Sequence, residues 1–105
     1  MITTIKKLLG IESPVNYINL INEGAVILDV RSKGEYNSGH IKGSINIPVD
    51  ALQNNLGKFK DKNKPVITCC ASGIRSASAK SILKANGFLK VYNGGSWMGL
   101  RNKIQ

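Results

Sequence analysis

The residues with the clearest chemical potential lie in one short segment, Cys70-Ala71-Ser72-Gly73-Ile74-Arg75-Ser76. A run of β-forming residues precedes it and a helical pattern follows it, so Cys70 is predicted at the carboxyl end of a buried strand. Backbone N–H groups of a short loop that enters a helix form an anion-binding nest. Such a nest, with Arg75 as a nearby cation, lowers a thiol pKa from its free value of about 8.5. Cys70 is therefore the predicted nucleophile, and the predicted substrate-binding residues are Ala71, Ser72, Gly73, Ile74, Arg75 and Ser76.

The neighbouring cysteine, Cys69, has a different predicted role. Successive residues of a strand point to opposite faces of a sheet, so Cys69 should point away from the pocket that Cys70 faces. Adjacent Cα atoms lie about 3.8 Å apart, below the roughly 4.4 Å that an unstrained disulfide needs. We therefore expect Cys69 to pack as a small hydrophobe rather than to act as a resolving thiol.

Four other side chains near the predicted crevice are expected to support the fold. Asp29 and Arg31 follow a buried strand, and pairing is how such charges survive partial burial. His40 is the only histidine, and we expect it to make a structural hydrogen bond rather than to transfer protons. Trp97 is expected to fill the core or to wall the pocket. Asp29 and Arg31 are thus supporting residues, and none of the four is predicted to be catalytic.

Composition narrows the classes of ligand. One histidine and two adjacent cysteines cannot supply the separated ligands of a zinc site, and no phosphate-binding glycine motif is present, so no metal or cofactor is expected. Fifteen Lys and Arg against six Asp and Glu give a net charge of +9, which favours small anions or acidic partners. The dense basic run has one aromatic residue, Phe59, among its lysines, whereas nucleic-acid platforms need several. No nucleic-acid partner is expected from this run, which comprises Lys58, Lys60, Lys62 and Lys64.

The pattern of the chain indicates strands that alternate with helices, which is typical of a parallel sheet covered on both faces. The predicted strands are residues 25–30, 44–47, 65–69 and 88–92. The predicted helices are residues 14–23, 51–56, 76–87 and 97–104, with Ser13 and Asp50 as the caps of the first two. Residues 31–43 are expected to be a connecting loop and residues 93–96 a turn.

Length and hydropathy predict one domain. A chain of 105 residues can bury one core, so residues 1–105 are expected to form a single unit. No run of about 18 apolar residues occurs, which argues against a membrane-spanning segment. Lysines interrupt the apolar residues of segment 1–11, which makes it a poor signal peptide, and a cytoplasmic location is therefore expected.

At the Cys70 loop the sequence resembles the rhodanese superfamily, whose active-site loop reads Cys-x-x-Gly-x-Arg-Ser. The ordered segments 28–31 with Glu35-Tyr36, 39–48, and Asn93-Gly94-Gly95 with Trp97 are similar to further motifs of that family, and the resemblance covers about residues 12–104. It implies an α/β fold with a five-stranded parallel sheet and helices on both faces. It also implies that Cys70 carries sulfur, that the loop amides cradle a persulfide and that Arg75 completes the anion pocket.

The resulting expectation is a sulfurtransferase that takes sulfane sulfur from a small anionic donor, such as thiosulfate or a persulfide. The Cys70 persulfide would then pass sulfur to a thiol, a protein cysteine or cyanide. One alternative is a cysteine-dependent phosphatase, which uses a similar loop but with five residues between Cys and Arg, whereas four lie between Cys70 and Arg75 here. The other is a non-catalytic module that binds partner proteins or relays sulfur between them.

Overall fold

The structure, a computed structural model, describes residues 14–105. The expectations for segment 1–11 and for Ser13 as a helix cap lie outside the described residues. The described elements, in chain order, are α1 (Tyr17–Asn22), β1 (Val26–Asp29), α2 (Lys33–Asn37), β2 (Ile45–Asn46), α3 (Val49–Leu52), a 3₁₀ segment (Gln53–Lys58), β3 (Val66–Cys70), α4 (Ile74–Ala85), β4 (Val91–Ser96) and α5 (Trp97–Ile104).

The four strands form one parallel sheet in the order β2-β1-β3-β4. Within residues 14–105 the implied count of five strands is therefore wrong, because these residues contain only the four β-forming segments that the sequence pattern indicates. In the register of the sheet, Asp29 lies beside Cys69, and Cys70 lies beside Ser96. The carboxyl ends of the strands therefore meet at one edge, where Cys70 is found.

Helices cover both faces of the sheet, as predicted. On one face α3 and α4 pack against a core that includes Leu28 and Cys70. On the other face α1 and α5 pack against a core that includes Ile27 and Cys69. Burying apolar residues on both faces explains why the central strands are apolar in sequence rather than alternating.

Several boundaries differ from the predictions because local capping and packing decide them. The first helix begins at Tyr17 and not at residue 14, since the side chain of Asn16 accepts a hydrogen bond from the backbone N–H of Asn19 at 3.0 Å. Asp50 lies within the first turn of α3 rather than at its cap. The loop predicted over residues 31–43 contains α2. The turn predicted over residues 93–96 is the last four residues of β4, so the strand predicted over residues 88–92 begins and ends later in the chain.

None of the helices in residues 14–105 is both long and apolar enough to cross a lipid bilayer.

Candidate active site

The Cys70 loop reverses direction at Gly73 and leads directly into α4. Gly73 has φ of +102°, a left-handed conformation that favours glycine. A Cβ atom at this position would lie 3.4 Å from the Cα of Gly95, so the loop also packs closely against β4. Cys70 is the last residue of β3, and Ile74 is the first residue of α4. The predicted order of strand, short loop and helix is confirmed, and it aims the loop amides at the cysteine.

The sulfur of Cys70 is surrounded by hydrogen-bond donors. The backbone N–H of Gly73 donates to Cys70 Sγ at 2.9 Å, and the backbone N–H of Ser76 donates to it at 3.4 Å. The hydroxyl oxygen of Ser76 also lies 3.4 Å from this sulfur. Cys70 and Ser76 are both fully buried, which makes these contacts stronger than they would be in water.

These donors set the ionisation of the thiol. Burial alone would raise the pKa of Cys70, but hydrogen bonds from the Ser76 side chain and from the backbone N–H groups of Ser76, Gly73 and Ser72 together hold it below its ordinary value. The backbone nest expected from the sequence is thus present. Arg75, the cation expected to activate the thiol, makes no hydrogen bond to the sulfur within residues 14–105, and its charge attracts the thiolate less strongly than the hydrogen bonds do.

Arg75 instead forms a two-pronged ion pair with Glu35. Its Nη1 and Nη2 groups donate to Glu35 Oε1 at 2.7 Å and to Oε2 at 2.9 Å. Glu35 belongs to α2, where it also accepts a hydrogen bond from the backbone N–H of Ser32 in a capping box. The hydrogen bonds from Arg75 and Ser32 hold the pKa of Glu35 at about 2. Sequence reasoning did not assign this residue a role, although Glu35 stands in one of the matched motifs.

Asn93 is a second residue of the site that sequence reasoning missed. The Ser76 hydroxyl donates to Asn93 Oδ1 at 2.6 Å, and Asn93 Nδ2 donates to the carbonyl of Gly73 at 3.1 Å. The backbone N–H of Gly95 also donates to Asn93 Oδ1, at 3.0 Å. Asn93 therefore ties β4 to the last residue of the loop and to the first turn of α4. The only signal for it in the sequence was its place in the Asn-Gly-Gly segment.

Asp29 and Arg31 form the expected structural ion pair at the end of β1. Arg31 Nη2 donates to Asp29 Oδ2 at 2.6 Å, and Arg31 Nε donates to Oδ1 at 2.9 Å. Arg31 also donates to the carbonyls of Glu35 at 3.2 Å and Gly39 at 2.7 Å. Because these bonds satisfy both buried charges, the pair positions the chain between β1 and β2 rather than offering a free group to a ligand.

Cys69 lies on the opposite face of the sheet from Cys70, as the alternation of strand residues predicts. Burial raises the pKa of its thiol to about 12, helped by the nearby charge of Asp29. A thiol with that pKa is protonated at neutral pH and is a poor nucleophile. Cys69 is therefore a packing residue in this fold.

His40 and Trp97 have structural contacts. His40 stacks on the Tyr36 ring with centroids 3.7 Å apart, and its Nδ1 lies 2.8 Å from the Tyr36 carbonyl oxygen. The guanidinium groups of Arg31 and Arg101 lie 4.6 and 4.9 Å from the centroid of the Trp97 ring. Neither His40 nor Trp97 contacts the Cys70 sulfur through a described hydrogen bond.

The outer part of the loop is open to solvent. Ala71, Ser72 and Ile74 are exposed, and Ile74 is 76% exposed. The buried sulfur thus lies directly beneath a short exposed segment. Over the range 14–105, no three His, Cys, Asp or Glu side chains come close enough to hold a metal ion.

Comparison with known proteins identifies the family to which this chain belongs. Among curated relatives, the chain is 37% identical over 78 residues to the tRNA uridine(34) hydroxylase of Buchnera aphidicola, covering 70% of this chain and 25% of that protein. It is 41% identical over 76 residues to the uncharacterized protein YibN of Escherichia coli, covering 70% of this chain and 53% of that protein. The chain thus spans between about a quarter and about half the length of these relatives.

Solved structures agree with the sequence comparison. A rhodanese with anions from E. coli superposes with a TM-score of 0.68 at 33% identity, covering 71% of this chain and 89% of that one. A family model described as a rhodanese-like domain matches residues 13–99, which include the strands β1 to β4 and the whole Cys70 loop. The chain belongs to the rhodanese-like domain family.

Proposed function

We propose that this protein is a sulfurtransferase that carries sulfane sulfur as a persulfide on Cys70. The observation that carries the proposal is the set of groups around one sulfur atom. The N–H groups of Gly73 and Ser76 donate to it, and the Ser76 hydroxyl accepts from the thiol and can turn to donate to the thiolate. This arrangement stabilises negative charge on Cys70 without a histidine base or a metal ion. A nucleophilic cysteine activated by a lowered pKa is a recognised route to covalent catalysis.

The reaction has two displacement steps. In the first, the Cys70 thiolate attacks the outer sulfur of a donor, a new S–S bond forms, and the rest of the donor leaves with the electron pair of the old bond. In the second, an acceptor thiolate or cyanide attacks the outer sulfur of the Cys70 persulfide, and Cys70 leaves as the thiolate. The same loop amides stabilise the charge on Cys70 at the start and at the end of the cycle.

Access to the sulfur requires the exposed part of the loop to move. Cys70 is fully buried, whereas Ala71 and Ser72 above it are exposed. A donor therefore reaches the sulfur by way of this exposed segment, where the side chains of Ala71 and Ser72 face solvent while the N–H of Ser72 points to Cys70. Both cysteines are free thiols, a state that the proposed chemistry needs and that a reducing cytoplasm would maintain.

The phosphatase alternative is disfavoured by the position of Arg75. A phosphate pocket needs a guanidinium that faces the bound anion, and both terminal nitrogens of Arg75 are held by Glu35. The relay alternative uses the same Cys70 persulfide and differs only in its acceptor, which would be a protein cysteine. The hydroxylase activity named for one relative belongs to a protein of which this chain covers 25%.

The proposal is tested by following sulfur and phosphate chemistry in the same preparation. With glutathione persulfide or thiosulfate as donor, the wild-type protein should deliver sulfur to cyanide or to a thiol, whereas Cys70→Ser should deliver none. Neither protein should hydrolyse an aryl phosphate measurably. Hydrolysis that depends on Cys70, in a folded protein that transfers no sulfur from either donor, would replace this proposal with the phosphatase.

A further inference from the structure

Arg75 is the cation nearest to the Cys70 loop in sequence, and it already forms an ion pair with a carboxylate. Both of its terminal nitrogens bind the two oxygens of Glu35, at 2.7 and 2.9 Å. The hydrogen bonds that Arg75 donates to Glu35 raise the pKa of Arg75, and the same pair, with the bonds from Ser32, holds the pKa of Glu35 at about 2. Both groups are consequently charged at any pH at which the protein would work, so their charges cancel at the edge of the site.

A second arginine beside the site is matched in the same way. Arg31 lies at the end of β1 and forms a buried ion pair with Asp29 at 2.6 Å. Its remaining donors bind the backbone carbonyls of Glu35 and Gly39. Neither arginine therefore offers uncompensated positive charge to a ligand. The attraction for an anion at Cys70 comes mainly from the loop amides and the Ser76 hydroxyl, which together hold one thiolate, and the paired Arg75 adds a smaller share.

Because both arginines are paired, thiosulfate and persulfides should differ in how readily they react at Cys70. Thiosulfate brings two negative charges to the Cys70 thiolate, and its transfer step yields the ionised Cys70 persulfide and sulfite, which leaves with two negative charges. A persulfide in its protonated form, R–S–SH, brings no charge, and its transfer step yields a Cys70 persulfide that keeps the proton and a leaving thiolate R–S⁻. The thiosulfate reaction thus needs a free cation beside Cys70 far more than the persulfide reaction does.

We propose that Glu35 is a specificity-determining residue. By holding Arg75 in an ion pair, it makes persulfides, rather than thiosulfate, the preferred donors. The proposal rests on the sulfurtransferase function proposed above and names its donor class. Glu35 acts through Arg75 and touches neither the sulfur nor the donor, so it is a positioning residue. Its exposed side chain, at 38%, places the pair at the solvent edge of the site, where an incoming dianion would meet it.

The variant that isolates this effect is Glu35→Gln. Glutamine keeps the length of the side chain and an oxygen that can accept the capping hydrogen bond from the N–H of Ser32, so α2 retains its cap. The negative charge is removed, and the amide NH2 that replaces Oε2 cannot accept the hydrogen bond from Arg75 Nη2, which leaves the charge of Arg75 uncompensated. Glu23→Gln removes the same charge at the end of α1, near the opposite edge of the sheet, and is the matched control.

The experiment measures kcat/KM with thiosulfate and with the persulfide of 2-mercaptoethanol, whose tail carries no charge, for the wild-type protein and both variants. In Glu35→Gln the ratio of the thiosulfate value to the persulfide value should rise about tenfold, the order expected when one nearby charge is removed, mostly through a lower KM for thiosulfate. Glu23→Gln should leave that ratio unchanged. An unchanged ratio in a Glu35→Gln protein that does form the persulfide would overturn this inference alone. A wild-type protein that forms no persulfide from either donor would overturn the proposed function together with the inference.

A second readout reports the charge at Cys70 without sulfur transfer. In a Cys69→Ser background, we compare the rate at which anionic iodoacetate alkylates Cys70 with the rate for neutral iodoacetamide. Opening of the loop affects both reagents and cancels in the ratio of the two rates. The iodoacetate-to-iodoacetamide ratio should rise several-fold in Glu35→Gln. A ratio equal to that of the wild type would show that Glu35 does not set the charge that a ligand meets, and would overturn the inference.

Discussion

At the scale of single residues, the structure gives two adjacent cysteines opposite chemistry. Cys69 and Cys70 are both fully buried, so burial alone does not distinguish them. Within residues 14–105 no hydrogen-bond donor contacts the thiol of Cys69, and because the charge of Arg31 offsets its desolvation only in part, its pKa rises to about 12. Cys70 receives hydrogen bonds from loop amides and from Ser76, which outweigh desolvation and lower its pKa. The two cysteines are neighbours on one strand and equally buried. The hydrogen-bond donors around Cys70 therefore decide which of the two thiols can react.

The Ser76 hydroxyl offers a direct test of this view. With a neutral thiol, Cys70 donates to Ser76 Oγ and Ser76 donates to Asn93. When the thiol loses its proton, the hydroxyl can turn and donate to the sulfur. Ser76→Ala should raise the pKa of Cys70, because it removes the largest of the hydrogen bonds that lower it. Below the thiol pKa, persulfide formation should slow by about tenfold, the effect of losing one charge-assisted hydrogen bond of about 1.5 kcal/mol.

The measurement is the ultraviolet absorbance of the thiolate followed against pH in a Cys69→Ser background. The midpoint should move to higher pH in Ser76→Ala, so the deficit in rate shrinks as pH rises through the new midpoint. Ser78→Ala, an exposed position on the same helix, is the control and should leave the midpoint in place. A midpoint that does not move in Ser76→Ala would mean that the backbone amides alone activate Cys70.

At the scale of elements, β4 holds the active loop in position by its close approach to β3 and α5. Gly94 lies where the strand passes the core, and a Cβ there would lie 2.9 Å from both Ile67 Cγ2 and the Thr68 carbonyl oxygen. It would also lie 3.0 Å from Leu100 Cδ2. Because one of these atoms belongs to the backbone of β3, the contact cannot be relieved by turning a side chain. Only glycine allows β4 to pack at this distance.

Gly94→Ala should therefore lower the free energy of unfolding by about 1–3 kcal/mol, the usual effect of overpacking a core. Denaturant unfolding monitored by circular dichroism measures the change. Gly57→Ala is the matched control, because a Cβ at that position meets no atom within 4 Å. Equal stability of Gly94→Ala and the wild type would contradict the tight packing between β3 and β4.

The sequence predicts the secondary-structure elements that depend on local pattern. It does not predict those whose type or bounds depend on tertiary contacts. The strands predicted from the apolar runs of β1 and β3 have bounds within one or two residues of those observed. The Asn-Gly-Gly segment is typical of a turn, yet it continues β4, because Gly94 is required for close packing rather than for reversal of the chain. The Ser32-x-x-Glu35 capping box was present in the sequence and signals a helix start, but the glycines around it indicated a loop.

Some residues of the candidate site are likewise predictable from local sequence, and others are brought to it only by the tertiary structure. Cys70 and its loop could be predicted because strand, loop and helix are contiguous in the chain. The partner of Arg75 could not, since Glu35 lies 40 residues earlier and only the tertiary structure brings the two side chains together. Asn93 is likewise brought to Ser76 by the parallel register of β3 and β4.

At the scale of the whole molecule, the parallel sheet gathers one site from separate parts of the chain. The end of β1 supplies the Asp29–Arg31 pair, the end of β3 supplies Cys70, and β4 supplies Asn93. The chain carries a net charge of +9, but both arginines beside the site are paired with carboxylates. The excess positive charge therefore resides mainly on the lysines, which can attract anions to the surface without placing a free cation beside the reactive sulfur.

The central claim is that this molecule carries sulfur on Cys70, and intact-mass spectrometry after treatment with glutathione persulfide tests it most directly. The wild-type protein and Cys69→Ser should each gain the mass of one sulfur atom, and dithiothreitol should remove it. Folded Cys70→Ser should gain none, because the buried Cys69 keeps its proton at neutral pH. A sulfur adduct on Cys70→Ser that is absent from Cys69→Ser, or no adduct on the folded wild-type protein, would contradict the account.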